Sequence, residues 1–230
     1  RQEGEPEVIL GEINPVALLT VGERDLDKRA GWVIFFDKVH TRPSIAHRAT
    51  VDLKSVRVLS SRERATIQVN DVIAGPFFGA LEITVIAGSS LIRIEQVVQT
   101  NENGRAIVYD AGIVSNDPKW RRTTWINSND DLVQIPAENT VATGPQSVRY
   151  RTVVAESDAG SLAVFPPPHQ FFYPLDFADN FGFVWHGRDD RDLVAGRSIG
   201  IRQPLDGDRR YVPWFNAPPQ TEQRLAIYWY

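Results

Sequence analysis

The chain has 230 residues, 42% apolar and 23% charged, with a formal net charge of −4. Arg and Lys are scattered singly among carboxylates, which excludes the basic stripe of a nucleic-acid surface. With no cysteine and no apolar run near the roughly 20 residues that span a bilayer, disulfide chemistry, thiolate chemistry and a membrane-crossing helix are excluded as well.

Arg1–Pro6 is a charged lead-in containing Gly and Pro, and no methionine occurs anywhere, position 1 included. The chain is therefore expected to be a processed product or an excised piece. Strand-like runs follow at Ile13–Val21 and Gly31–Val39, separated by a charged turn. His40–Arg48 interrupts them as a polar hairpin around Pro43, with His40, Arg42 and His47 close in sequence as candidate ligand-binding residues. Its two histidines lack the short spacing of a zinc motif. Ala49–Ser61 alternates, with a parity change at Ser55 that predicts a β-bulge. The clearest hairpin is Phe78–Thr100, turning at Gly88–Ser89, and Asn101–Gly104 turns the chain again.

Ser115–Gly144 is rich in Asn, Asp, Pro and Thr and predicts long loops around one short strand at Thr123–Ile126. Strands resume at Val148–Glu156 and Ser161–Phe165. After His186 a charged turn, GRDDRD, precedes the strand RSIGIRQ, and Tyr211–Pro219 is a second aromatic-and-proline loop. The final run, RLAIYWY, is apolar on both faces, the pattern of a strand covered on both sides. Tyr230 is accordingly expected not to be the natural terminus, with a further domain or a neighbouring chain covering that strand. No amphipathic helical segment and no fixed-period repeat is present. The prediction is an all-β chain, a single large antiparallel β-sandwich over residues 1–230.

The run Gly79–Val114, with GSSLIRIEQVVQT and AIVYDAG, resembles the galactose-mutarotase-like supersandwich. That resemblance implies a carbohydrate-related setting: the fold serves epimerases, polysaccharide lyases and non-catalytic modules of glycoside hydrolases. Enzymes of this family use a histidine acid and a carboxylate base about a sugar ring, but no family motif matches here residue by residue. The chain is also similar to β-domains that precede a metallohydrolase-like domain in large secreted bacterial proteins, which implies an extracellular or periplasmic setting.

Leu162–Arg188 gathers rings, a triple proline, histidines and aspartates into one stretch. Its catalytic candidates are His186, His169, Asp176 and Asp179, because an imidazole beside a carboxylate can move protons near neutral pH. Trp185, Arg188 and Asp189, with Tyr211 and Trp214 from the later loop, are the ligand-binding candidates. An indole suits the apolar face of a pyranose, and a guanidinium suits a sugar carboxylate. The two loops are expected to meet in one aromatic-walled pocket. No GxSxG elbow, phosphate loop or GxGxxG turn is present, and no calcium loop is complete at Asn129–Asp131 or Asp206–Asp208, so no cofactor or metal is expected. Two classes stay open: a carbohydrate-active or carbohydrate-binding module, and a structural or interaction β-domain.

Overall fold

The computed structural model describes residues 7–25, 37–138, 146–168, 182–190, 193–202 and 214–230. Their alternating pattern forms two antiparallel sheets, and the one helical piece among the described residues is a 3-10 turn at Val39–Thr41. Among these residues no helix is long and apolar enough to cross a membrane.

The seven-stranded sheet holds β1 (Asn14–Glu23), β2 (Ser44–Arg48), β8 (Arg105–Val114), β11 (Gln146–Ser147), β14 (Gly182–Asp190), β15 (Val194–Arg202) and β16 (Phe215–Ala217). Its order is β11-β14-β15-β8-β1-β2, with β16 also pairing β8. The ten-stranded sheet holds β3 (Thr50–Val51), β4 (Val56–Ser60), β5 (Arg64–Ala74), β6 (Phe77–Ile86), β7 (Ile92–Thr100), β9 (Arg122–Ile126), β10 (Leu132–Pro136), β12 (Val153–Glu156), β13 (Ser161–Phe165) and β17 (Gln223–Trp229). Its order is β10-β9-β12-β13-β17-β7-β6-β5, and both β3 and β4 pair with the outer side of β5.

Alternation decides which side chains enter the space between the sheets. Leu19, Ile107, Ile113, Ile199 and Ile201 point in from the first sheet and meet Leu81, Ile94, Val98, Leu225 and Ile227 from the second. Cover is thinnest at the β3–β4 edge. Val56 and Val58 share the core side with Val69 and Ile67, yet remain 49% and 62% exposed.

A second, smaller cluster lies on the opposite face of the first sheet, where Trp185 is fully buried with Val16, Leu18, Val114 and Val194. Its indole Nε1 donates to Ser198 Oγ at 3.1 Å. The ring lies flat against the backbone of Gly200, where an added Cβ would come within 2.0 Å of it. Only glycine admits that approach.

Several sequence expectations are corrected. His40–Arg48 is not a hairpin: after the 3-10 turn, β2 pairs with β1 as an edge strand, and Pro43 stands just before its first residue, where no ladder donor is needed. At Ser55 the parity change is resolved by a turn over Asp52–Ser55 that separates β3 from β4, not by a bulge. Ser115–Gly144 contains a second strand, β10, hairpinned to β9. Asn127 Oδ1 caps that turn by accepting from the backbone N–H groups of Asn129 and Asp131, each at 2.9 Å. Val148–Glu156 is strand only from Val153. GRDDRD is largely strand, since β14 runs to Asp190, and Tyr211–Pro219 contains β16. Trp32–Phe36 lies outside the described residues. The covered C-terminal strand is as expected, but its cover is supplied by this chain: β17 lies between β13 and β7.

Gly200→Ala should destabilise the protein by about 2–3 kcal/mol, the cost of overpacking against a ring that cannot withdraw. In a Trp185→Leu background the same substitution should cost clearly less. A double-mutant cycle by urea denaturation checks the coupling.

Candidate ligand groove

The structure describes only some of the site candidates, and those it describes are spread over the first sheet and its edge. Trp185 and His186 are neighbours on β14 and so point to opposite faces. Trp185 is sealed in the small outer cluster and offers no surface to a ligand. His186 enters the intersheet core, 5% exposed, stacked on Trp125 of β9 with ring centroids 4.7 Å apart. Burial pushes its pKa below the ordinary histidine value, so it is neutral at physiological pH. The two side chains are therefore packed on opposite faces of β14.

Trp214 is half-buried. Its ring lies 3.0 Å from the position a Cβ on Gly22 would take, and its carbonyl accepts a bond from Arg24 Nη2 at 2.7 Å. Trp185 clusters with Val16 and Leu18 of β1, and Trp214 covers Gly22 of the same strand. At about 3.3 Å rise per residue those positions are some 13–20 Å apart along β1, so the two indoles do not wall one pocket. Arg42 clamps its own segment: Nη2 pairs with Asp37 Oδ1 at 2.6 Å and Nε donates to the Glu23 carbonyl at 2.8 Å. The His47 ring packs against Gly75 of the other sheet, 2.6 Å from where its Cβ would be. His40 sits in the 3-10 turn, whose buried Val39 covers Gly22 on the opposite face of β1. The expected cluster of His40, Arg42 and His47 is thus dispersed. Arg188 and Asp189 lie on β14, where Arg188 pairs in register with Arg197. His169, Asp176, Asp179 and Tyr211 lie outside the described residues.

Among the described residues, a set of converging polar groups lies elsewhere, on the outer face of the ten-stranded sheet. Alternation brings Glu82 of β6 directly opposite Glu95 of β7, with Gln68 of β5 on the other side of Glu82. Two like charges so placed repel. Arg224 of β17 relieves the repulsion: its Nη1 lies 3.2 Å from Glu82 Oε2 and 3.0 Å from Glu95 Oε2. Glu95 also accepts from Arg93 Nη2, and Gln68 Nε2 donates to Glu82 Oε1 at 2.9 Å. Burial works against the charge on Arg224, but the hydrogen bonds and negative charges of Glu82 and Glu95 outweigh it and hold its pKa above the ordinary arginine value.

The space above this network is an open groove of about 600 Å³ bounded by Arg64, Thr84, Arg93, Arg224 and Tyr228. A second depression of about 260 Å³ shares Glu82 and Arg224 with it and extends the groove toward Arg57 and Phe78. Thr66 and Thr84 hydroxyls bond each other at 2.9 Å on its floor. The Tyr228 ring is held at its rim by Phe165 of β13, with centroids 5.7 Å apart. In the sequence Glu82, Thr84, Arg93 and Glu95 are polar positions of the Phe78–Thr100 hairpin, whereas Arg224 and Tyr228 belong to the run expected to be covered on both faces. The available signal was a polar face holding charges of both signs, Glu82, Arg93, Glu95 and Arg224, on strands of nine or ten residues and their neighbour.

No family model matches this chain, and no curated protein matches it. Among solved structures, a galactose mutarotase related enzyme from Lactobacillus acidophilus is similar at 11% identity and a TM-score of 0.40, over 76% of this chain and 70% of that one.

Two measurements check this geometry. Arg224→Ala leaves Glu82 and Glu95 facing each other. The expected loss is about 1–2 kcal/mol, less than for a buried pair because Arg224 is half exposed and its charge is screened by water. Adding Glu82→Gln should recover most of it in thermal denaturation. For His186, the unfolded state, with a pKa of about 6.5, takes up a proton before the folded state does. Its contribution is therefore complete above that value and is lost as pH falls through the lowered folded pKa. Urea midpoints for the wild type should fall more steeply between pH 7 and pH 5 than those for His186→Phe.

Proposed function

We propose that this chain is a carbohydrate-binding β-sandwich module whose ligand lies in the groove over β17, β7, β6 and β5. The observation that carries the reading is the lining of that groove: guanidinium donors, carboxylate acceptors and threonine hydroxyls beside one tyrosine ring. Sugar hydroxyls both donate and accept, so a surface presenting both in alternation suits them, and a ring face covers the C–H side of a pyranose. An apolar ligand would find little here to bury. Both carboxylates already bond a guanidinium, which favours holding a ligand over transferring protons to it. A module of this kind would hold a polysaccharide, outside the cytoplasm, for an activity carried by another part of a longer protein.

One observation favours the alternative, an interaction domain. Val56, Val58 and Leu59 leave the β4 edge apolar on both faces, a surface suited to another protein.

A glycan array probed with the purified chain, followed by calorimetry on any retained glycan, decides between them. Tyr228→Ala should weaken saccharide binding at least tenfold. Thr84→Val, which keeps shape and removes a hydroxyl, should weaken it without changing the circular dichroism. If no glycan is retained and none shifts the melting temperature, the carbohydrate reading fails.

A further inference from the structure

The two depressions are lined by four guanidiniums, Arg57, Arg64, Arg93 and Arg224, and three carboxylates, Glu82, Glu95 and Glu222, the last paired with Arg224 at 3.6 Å. Glu82 and Glu95 are both engaged by Arg224, and Glu95 also by Arg93. Arg64 and Arg57 line the groove on the β4–β5 side, at different levels along the strands, and neither takes part in an ion pair among the described residues. Charged side chains also guard sheet edges, as Arg62 does in the turn between β4 and β5. Arg57 and Arg64 differ from Arg62 because both line the depression. Arg57 pairs in register with Gln68, four residues along β5 from Arg64, so their backbones are separated by about 13 Å along the strand. That span exceeds the width of one sugar ring.

Resting on the carbohydrate reading, we propose that the groove selects acidic oligosaccharides, chains that carry carboxylate or sulfate groups on their rings. Arg57 and Arg64 receive two anionic substituents of one chain. Each guanidinium can meet a carboxylate or sulfate ester through paired, charge-assisted hydrogen bonds, which neutral hydroxyls match less well. Between their levels the Thr66 and Thr84 hydroxyls take the ring hydroxyls, with Glu82, Glu95 and Arg224 to one side, over β6, β7 and β17. Glu82 and Glu95 repel an anion placed over β6 and β7, which keeps the acidic groups on the β4–β5 side.

The test uses the whole chain and matched pairs of probes: oligogalacturonides against their methyl esters, and a sulfated galactan against the same galactan desulfated. By calorimetry, an acidic probe should bind at least about tenfold more tightly than its neutral counterpart, and the preference should shrink as salt rises. Preference within the first pair identifies the carboxylate as the anion, and preference within the second identifies the sulfate. Arg57→Ala with Arg64→Ala should erase the preference while leaving the melting temperature in place, and the double Lys variant should restore part of it. Equal binding of acidic and neutral partners would overturn this inference and leave the carbohydrate reading standing. Binding of poly-L-glutamate as tight as that of the acidic sugars would also overturn it, in favour of an acidic protein partner. If no saccharide of either charge binds, both readings fall.

Discussion

The ten-stranded sheet is one sheet only because β17 lies between β13 and β7. Without it the strands β10-β9-β12-β13 and the strands β7-β6-β5 would be two separate ribbons, each with an open edge. Leu225, Ile227 and Trp229 of β17 enter the core, while exposed Arg224, buried Ala226 and half-buried Tyr228 lie on its outer face. Its register also places Arg224 beside Val97 and Tyr228 beside Arg93, which sets where the groove's bridging guanidinium and its ring stand. Sheet continuity and groove chemistry therefore share one constraint.

That constraint explains how acidic residues can occupy facing positions on β6 and β7. An ion pair at a surface contributes little because water competes for both partners. Here Glu95 is nearly buried, its side chain 7% exposed, and it is flanked by Arg93 and Arg224, so water competes less well. The network holds rotamers that would otherwise be free, and the lining of the groove is ordered before any ligand arrives.

Much of the fold was legible because alternation survives in a single sequence. The β6–β7 hairpin shows its inward Leu81 and Ile83, its outward Glu82 and Thr84, and the glycine at its turn, whose φ of 73° is the left-handed conformation. RLAIYWY showed apolar residues on both faces and is interior, as that pattern requires. The groove was not legible in the same way. Arg224 lies 142 positions from Glu82 and 129 from Glu95, and no local pattern states that β17 will land next to β7. Trp185 and His186 misled for the opposite reason: adjacency in sequence suggested a shared site, while the strand pleat sends them to opposite faces. At Ser55 a bulge and a turn leave the same trace in the pattern, and only pairing with β5 distinguishes them.

The two sheets also differ in how far along the chain their partners are drawn from. β4, β5, β6 and β7 follow one another with short turns, so each pairs with a strand just made. β8 is the reverse: its neighbours β1 and β15 lie roughly ninety positions before and after it, a long reach whose closure entropy must be met before any contact rewards it. The meander is thus the part able to organise alone, and the first sheet must wait for distant segments to return. The groove shares in both regimes. Four of its strands, β4 to β7, belong to the local part, and the fifth, β17, which brings Arg224 and Tyr228, is the last in the chain, so the groove is complete only once this distant strand has paired with β7.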